Sequence, residues 1–156
     1  MVPFESARGV GMKRWVMILV WCLTAFFILS GCAVEGSKYS ELRTSIAPVQ
    51  ADMGRIYFYR LAEAVGSPFQ PSVILNGKMV GNSTPGGFFY VDRPPGNYEV
   101  YLSNEKEKIV KFTLDKGQSR YIRMSVALST ITYRVYPELV VQDFAESEMQ
   151  TLRYLK

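Results

Sequence analysis

The chain has 156 residues, 48% of them hydrophobic and 21% charged, with two cysteines and no histidine. That balance excludes a disordered acidic chain and a polytopic membrane protein, and the length suits one domain. Without histidine there is no Ser-His-Asp or Cys-His catalysis and no zinc site built on imidazole, so neither a metal nor another cofactor is expected. The formal net charge of +4 is spread out: Arg8, Lys13 and Arg14 against Glu5 come first, then 15 basic and 13 acidic residues scattered through the remainder. A nucleic-acid interface calls for a clustered basic stripe, so none is expected.

Lys13 and Arg14 precede an apolar run from Trp15 to Leu29 that only Thr24 interrupts. As a helix the run would be about 22 Å long, short of the ~30 Å hydrocarbon core of a bilayer. A basic start, an apolar stretch of this length and small residues after it form a secretory signal, assigned to residues 1–31. Met12-Lys13-Arg14 is the more usual signal start, so residues 1–11 read as an over-extension. Leu29-Ser30-Gly31-Cys32 resembles the lipobox of bacterial lipoproteins, which implies cleavage before Cys32 and lipidation of that residue. One acyl chain holds a protein to a membrane only reversibly, at about 0.8 kcal/mol per buried methylene, and two or more hold it firmly. The alternative is an uncleaved inner-membrane anchor with Cys32 as an ordinary thiol. Cys22, inside the apolar run, reads as a small hydrophobe. Ala33 rather than Asp after the cysteine resembles the outer-membrane sorting pattern. The expected location is the cell envelope, at the periplasm-facing side of the outer membrane, with the inner membrane as the alternative.

Residues 32–53 show no sustained period and read as the lipidated cysteine followed by a flexible tether. Twenty flexible residues would span roughly 25 Å. The alternative is a short helix around Tyr39–Thr44 packed on the domain that follows.

From Gly54 onward, short β-rich runs alternate with turn signals. Arg55–Leu61 opens the series. Val73–Leu75 and Lys78–Val80 flank Asn76-Gly77, a type I′ hairpin signal because both positions need positive φ. Phe88–Val91 and Tyr98–Leu102 are separated by a turn in which Pro95-Gly96 suits the centre of a type II turn. Ile109–Leu114 places Val110, Phe112 and Leu114 on one face, after Glu105-Lys106-Glu107-Lys108 as a solvated hairpin tip. Asp115-Lys116-Gly117-Gln118 turns the chain into Arg120–Leu128, with Ile122, Met124, Val126 and Leu128 facing inward. A last run, Ile131–Tyr136, stops at Pro137. Asp143 then caps a helix over 143–155, with Glu146 as its reciprocal partner and Ala145, Met149 and Leu152 at helical spacing. The expected fold is all-β: a small antiparallel β-sandwich of about seven strands over residues 54–156, with one short C-terminal helix, preceded by the signal and lipobox helix. A chain begun near Gly54 is expected to be soluble and monomeric.

Five segments together resemble the DUF2846 family of bacterial lipoproteins of unknown function, and more loosely the PEGA-type and transthyretin-like sandwiches. They are Gly54–Arg60, Val73–Gly81, Gly87–Val91, Pro95–Val100 and Gly117–Ile122. Each is a strand-and-turn signature without a catalytic motif. The resemblance therefore implies an envelope setting and a sandwich that docks a partner.

No motif points to chemistry. Gly81-Asn82-Ser83-Thr84-Pro85-Gly86-Gly87 lacks the Lys-Ser/Thr and following helix of a phosphate cradle and reads as a surface loop able to make contacts. Asp92, Glu99 and Glu138 are carboxylates without a spacing that brings two together. All 10 tyrosines lie after Cys32, while both tryptophans precede it. Tyr57, Tyr59, Tyr101, Tyr121 and Tyr136 fall opposite the more apolar face of their strands. Tyrosine on an open sheet favours an interface, so Tyr57, Tyr59, Tyr101 and Tyr121, with Asn82 and Gly86, are candidate partner contacts. The alternative is that helix and second sheet cover both faces. The expected function is a lipid-anchored, non-enzymatic docking module for an envelope protein. A structural, peptidoglycan-contacting role is the alternative, and a hydrolase is the third reading.

Overall fold

A computed structural model describes residues 35–63, 66, 68–128 and 133–156. The signal segment 1–31, the tetrad Leu29-Ser30-Gly31-Cys32 and the start of the Ile131 run lie outside the described residues. In chain order the elements are α1 (Tyr39–Leu42), β1 (Gly54–Tyr59), β2 (Ser72–Leu75), β3 (Lys78–Asn82), β4 (Gly87–Arg93), β5 (Gly96–Leu102), β6 (Glu105–Leu114), β7 (Ser119–Leu128), β8 (Tyr133–Val140), α2 (Gln142–Met149) and β9 (Arg153–Tyr154). They build an all-β sandwich with a five-stranded sheet, β8-β7-β1-β4-β9, facing a four-stranded sheet, β3-β2-β5-β6.

Between the sheets lies a core of Ile56, Phe58, Val73, Leu75, Val100, Leu102, Leu114, Ile122, Met124 and Val135. Period-2 alternation supplies it: Val110, Phe112 and Leu114 face inward together, as do Ile122, Met124 and Val126, whereas Leu128 runs out past the core and is 76% exposed. The Asn76-Gly77 hairpin forms with φ of 46° and 77°, the positive values that the pair was read to supply.

Several boundaries differ from the sequence reading, each for a physical reason. The five-stranded sheet is mixed, because β1 pairs parallel with β7 and β4 pairs parallel with β9. The parallel β1–β7 pair is feasible because β2 to β6 form the long crossover that such pairing requires. β8 runs through Pro137, which sits opposite Met124, to Val140. An edge strand tolerates a residue without an N–H, and β8 is an edge. Glu105–Lys108 is no hairpin tip but the start of β6, with the turn one step earlier at Ser103-Asn104. Glu105 is buried there and accepts from Arg134 Nη1 at 3.2 Å, which ties β6 to β8 and closes that flank.

The C-terminal helix is shorter than 143–155. It spans Gln142–Met149 from an extended Val141 that makes no side-chain cap, and the chain then becomes β9. Asp143 stands in the first turn rather than at the cap, and Glu146 turns its carboxylate toward Tyr121 and Gln142 instead.

Residues 35–53 are the largest departure. In place of a flexible tether, the chain from Gly36 onward is bonded to the domain, as in the alternative of a short helix around Tyr39–Thr44 packed on it. Tyr154 N–H donates to Ser37 O at 3.0 Å, Tyr39 N–H to Leu152 O at 2.8 Å, and Arg55 Nη1 to Ala47 O at 2.9 Å. α1 begins where the Lys38 N–H donates to Glu41 Oε2 at 3.1 Å. Tyr39 is 4% exposed and stands edge-on to Phe88, centroids 5.3 Å apart. Burial of Tyr39, packing of Leu42 and Ile46 against the same cluster and the backbone bonds to the β9 segment together offset the entropy of ordering these residues.

Tyr39→Ala is therefore expected to destabilise the domain by about 3–5 kcal/mol, whereas Tyr39→Phe should stay within about 0.5 kcal/mol. Urea unfolding of the two variants checks this. A chain begun at Gly54 loses this cover, and sedimentation should find it self-associating through the uncovered rings.

Candidate docking surface

The two sheets differ in what lies on their outer faces. On the five-stranded sheet, Tyr57, Tyr59, Phe88 and Tyr121 form a second buried cluster with Tyr39 of α1, Ala145 and Met149 of α2, and Leu152. Tyr57 stacks on Tyr121, centroids 4.9 Å apart and planes 5° from parallel, and meets Tyr90 at 5.6 Å. All six residues of β1 are buried as a result. Tyr57, Tyr59 and Tyr121 thus support the fold instead of facing a partner, because both helices cover the surface on which they lie.

Polar groups fix that cover in place. Tyr59 Oη donates to Glu148 Oε2 at 2.6 Å, and Tyr121 Oη to Glu146 Oε1 at 3.0 Å. Arg123 bridges Glu148, at 2.8 Å, and Glu138, at 2.9 Å, so β7 and β8 grip α2 through one guanidinium. Burial, and then the neighbouring glutamate in each case, drives the Tyr59 and Tyr121 phenols well above their ordinary range. Burial also raises Tyr57 and pushes Tyr39 up to about 12. For Glu138, burial acts to raise the carboxyl, but the Ser125 hydroxyl and Arg123 together hold it below its ordinary value. At the other end of β1, Arg55 pairs with Asp92 through two bonds, at 2.7 and 2.9 Å, and its guanidinium lies 4.1 Å from the Tyr90 centroid. The carboxylates singled out in the sequence are thereby separated: Asp92 holds Arg55, Glu138 holds Arg123, and Glu99 lies 3.8 Å from Lys111 on the other sheet.

Arg60, just past β1, is 1% exposed, and among the described residues no carboxylate pairs with it. Its Nη1 donates to Phe69 O at 2.6 Å and Ser83 O at 2.9 Å, and its Nη2 to Gly66 O at 2.9 Å. Burial lowers its pKa, with Glu63 acting against that shift. The Gly81–Gly87 segment is therefore not a free loop. Gly81 and Asn82 end β3, and Ser83 is buried over the Arg60 guanidinium. Asn82 is exposed at the strand end, while Gly86 is half-buried beside Ala62.

The four-stranded sheet carries no helix on its outer face among the described residues. Register places Ile74 opposite both Met79 and Tyr101, so all three share that face. Ile109 joins them one residue before Val110, the inward-facing partner of Val100. The result is an apolar row across β3, β2, β5 and β6, in which Met79 is 58% and Ile109 43% exposed and Ile74 and Tyr101 are half-buried. Of the four tyrosines read as contacts, Tyr101 alone belongs to this open face. Met79, Ile74 and Ile109 carry no sequence signal of their own; register brings Met79 and Ile74 to Tyr101, and Ile109 reaches the same face by alternation with Val110, beside the register shift between Val100 and Leu102.

The architecture defines a class, a β-sandwich with helices over one sheet and the other sheet open among the described residues. Within that class, the chain belongs to the DUF2846 family, proteins of unknown function, whose model matches residues 50–135. The match covers the strands up to the first part of β8 and excludes α1, α2 and β9. No curated protein and no solved structure matches the chain. Among the described residues no helix is long and apolar enough to cross a membrane, and no three metal-ligating side chains gather.

The tyrosine shifts give a signed pH dependence. A raised native pKa contributes stability that is complete below the ordinary phenol value and is lost as pH rises above it; the depressed Glu138 contributes stability present above the ordinary carboxyl value and lost as pH falls. Tyrosinate absorbance should therefore show Tyr39, Tyr57, Tyr59 and Tyr121 ionising only together with unfolding, and Glu138→Gln should flatten the acid limb of stability against pH.

Proposed function

We propose that this protein is a lipid-anchored envelope lipoprotein whose sandwich serves as a non-enzymatic docking module for an envelope protein, bound at the open face of the four-stranded sheet. One observation carries the docking surface: the apolar row Met79, Ile74, Tyr101 and Ile109 crosses a sheet whose outer face no described helix covers, while helices cover the equivalent face of the other sheet. Methionine and tyrosine are enriched in the centres of protein interfaces, and the Glu99 and Lys111 pair beside the row supplies a polar rim. Both tryptophans precede Cys32, so the mature domain lacks the side chain best suited to stacking on sugar, which favours a protein over the cell wall. The anchor is supported by the basic start, the apolar run and the tetrad Leu29-Ser30-Gly31-Cys32.

Two measurements test the two halves separately. Palmitate should label the wild type and not Cys32→Ala; equal labelling, or none in either, removes the anchor. A photocrosslinker at Tyr101 in intact cells should give one dominant protein adduct that Ile74→Asp abolishes, whereas a crosslinker at Lys116 should not. Recovery with cell-wall sacculi in place of a protein adduct would favour the structural reading instead.

A further inference from the structure

The sandwich has one closed flank and one open one. At the closed flank β8 meets β6 through the Arg134–Glu105 pair and through Asn104 Nδ2, which donates to Val135 O at 3.3 Å. At the other flank the edges β9 and β3 stand apart and leave a cleft of about 720 Å³. Its floor is apolar, formed by Val80, Phe89, Val91 and Leu155, and Glu35 and Lys156 stand at its rim. The floor is shaped by a close approach: a Cβ on Gly81 would lie 2.6 Å from the Phe89 ring, so only glycine lets that ring lie across the gap.

The chain enters the domain at this same flank. Among the described residues the chain is bonded to the domain at Gly36, whose carbonyl accepts from Arg153 Nη1 at 2.7 Å, followed by the Ser37 and Tyr39 bonds to the β9 segment. From Cys32 to Gly36 is four residue steps, which reach at most about 14 Å fully extended. The five-stranded sheet is about 19 Å across, four gaps of roughly 4.8 Å. A leash of this length cannot pass around the domain to present the β6/β8 flank to the surface where the anchor ends.

We propose that the open β3/β9 flank faces the bilayer, with its apolar-floored cleft and the exposed Asn82 and Lys156 set against membrane lipid. The proposal rests on lipidation of Cys32. It leaves the Tyr101 row standing roughly upright from the membrane, open to an envelope partner. The occupant is membrane lipid because the leash holds the cleft at the surface, and because the cleft combines a polar rim with an apolar floor, matching the order of headgroup and acyl chain.

Depth-dependent quenching tests this. In the full-length chain with Cys22→Ser, single cysteines are introduced as Asn82→Cys, Lys156→Cys or, on the opposite flank, Lys106→Cys. Each is labelled with an environment-sensitive fluorophore after reconstitution into phosphatidylethanolamine–phosphatidylglycerol vesicles carrying nitroxide lipids, and the mass of the mature chain is measured in parallel. The expected result is an acylated Cys32 with several-fold stronger quenching at positions 82 and 156 than at 106. An acylated chain quenched equally at the three positions, or most strongly at 106, overturns the orientation and leaves the anchor standing. A mature chain without acyl groups overturns both.

Discussion

The structure depends on burying both faces of one strand. β1 alternates Ile56 and Phe58 toward the inter-sheet core with Tyr57 and Tyr59 toward the opposite side, and none of its residues remains exposed. A strand at the centre of a sheet cannot leave an aromatic face in water without cost, so the outer tyrosines require a roof. α1, α2 and the Leu152 segment that leads into β9 are that roof. They come from opposite ends of the described chain and meet over β1 and β4, where the Ser37, Tyr39, Leu152 and Tyr154 backbone groups join them. The short segment before Gly54 is consequently structural, although its composition resembles that of a linker.

Aromatic burial alone would leave the phenolic hydroxyls stranded under the helix. Glu146 and Glu148, two residues apart on α2, accept from Tyr121 and Tyr59, and Arg123 pairs with Glu148 from below. The same arrangement explains why these phenols resist ionisation: a tyrosinate would be both desolvated and placed beside a carboxylate. Arg55 plays the matching part at the far end of β1, stacked on Tyr90 and paired with Asp92 while it holds Ala47. Arg60 differs from both, since among the described residues its guanidinium donates to backbone carbonyls, those of Phe69, Ser83 and Gly66. It organises the loops at the end of the sandwich rather than balancing a charge.

Sealing one sheet has a functional consequence. The helices that cover the five-stranded sheet leave the four-stranded sheet bare, so the molecule is asymmetric in a way that a plain two-sheet sandwich is not. The apolar row on the bare face, the closed β6/β8 flank and the open β3/β9 flank are three distinct surfaces of one small domain. The family match ends within β8, so β1 to β7 and the bare face fall inside it, whereas α1, α2 and β9 fall outside.

Much of the architecture was legible in the residues. Local chemistry specified the strands: Asn76-Gly77 for its turn, Gly117 for the turn before β7, and the period-2 runs that became β5, β6 and β7. The switch to helical spacing at Ala145 and Met149 marked α2 for the same reason, since periodicity is a property of neighbouring residues alone. The uses of the tyrosines were not legible, because alternation says that two faces differ and not which face is covered. Tyr57 and Tyr101 have the same local pattern and opposite fates, decided by which sheet the helices reach. Pro137 and Glu105 were misread likewise, since an edge position and a cross-strand arginine exist only once the strands are assembled. By itself the sequence determined most of the strands, the Asn76-Gly77 and Gly117 turns and the lack of histidine, all of which are local or compositional. Tertiary structure alone decided that residues 36–47 are bolted down, that three of four candidate tyrosines are buried, and that the open face is the one bearing Tyr101, because each depends on contacts between residues far apart in the chain.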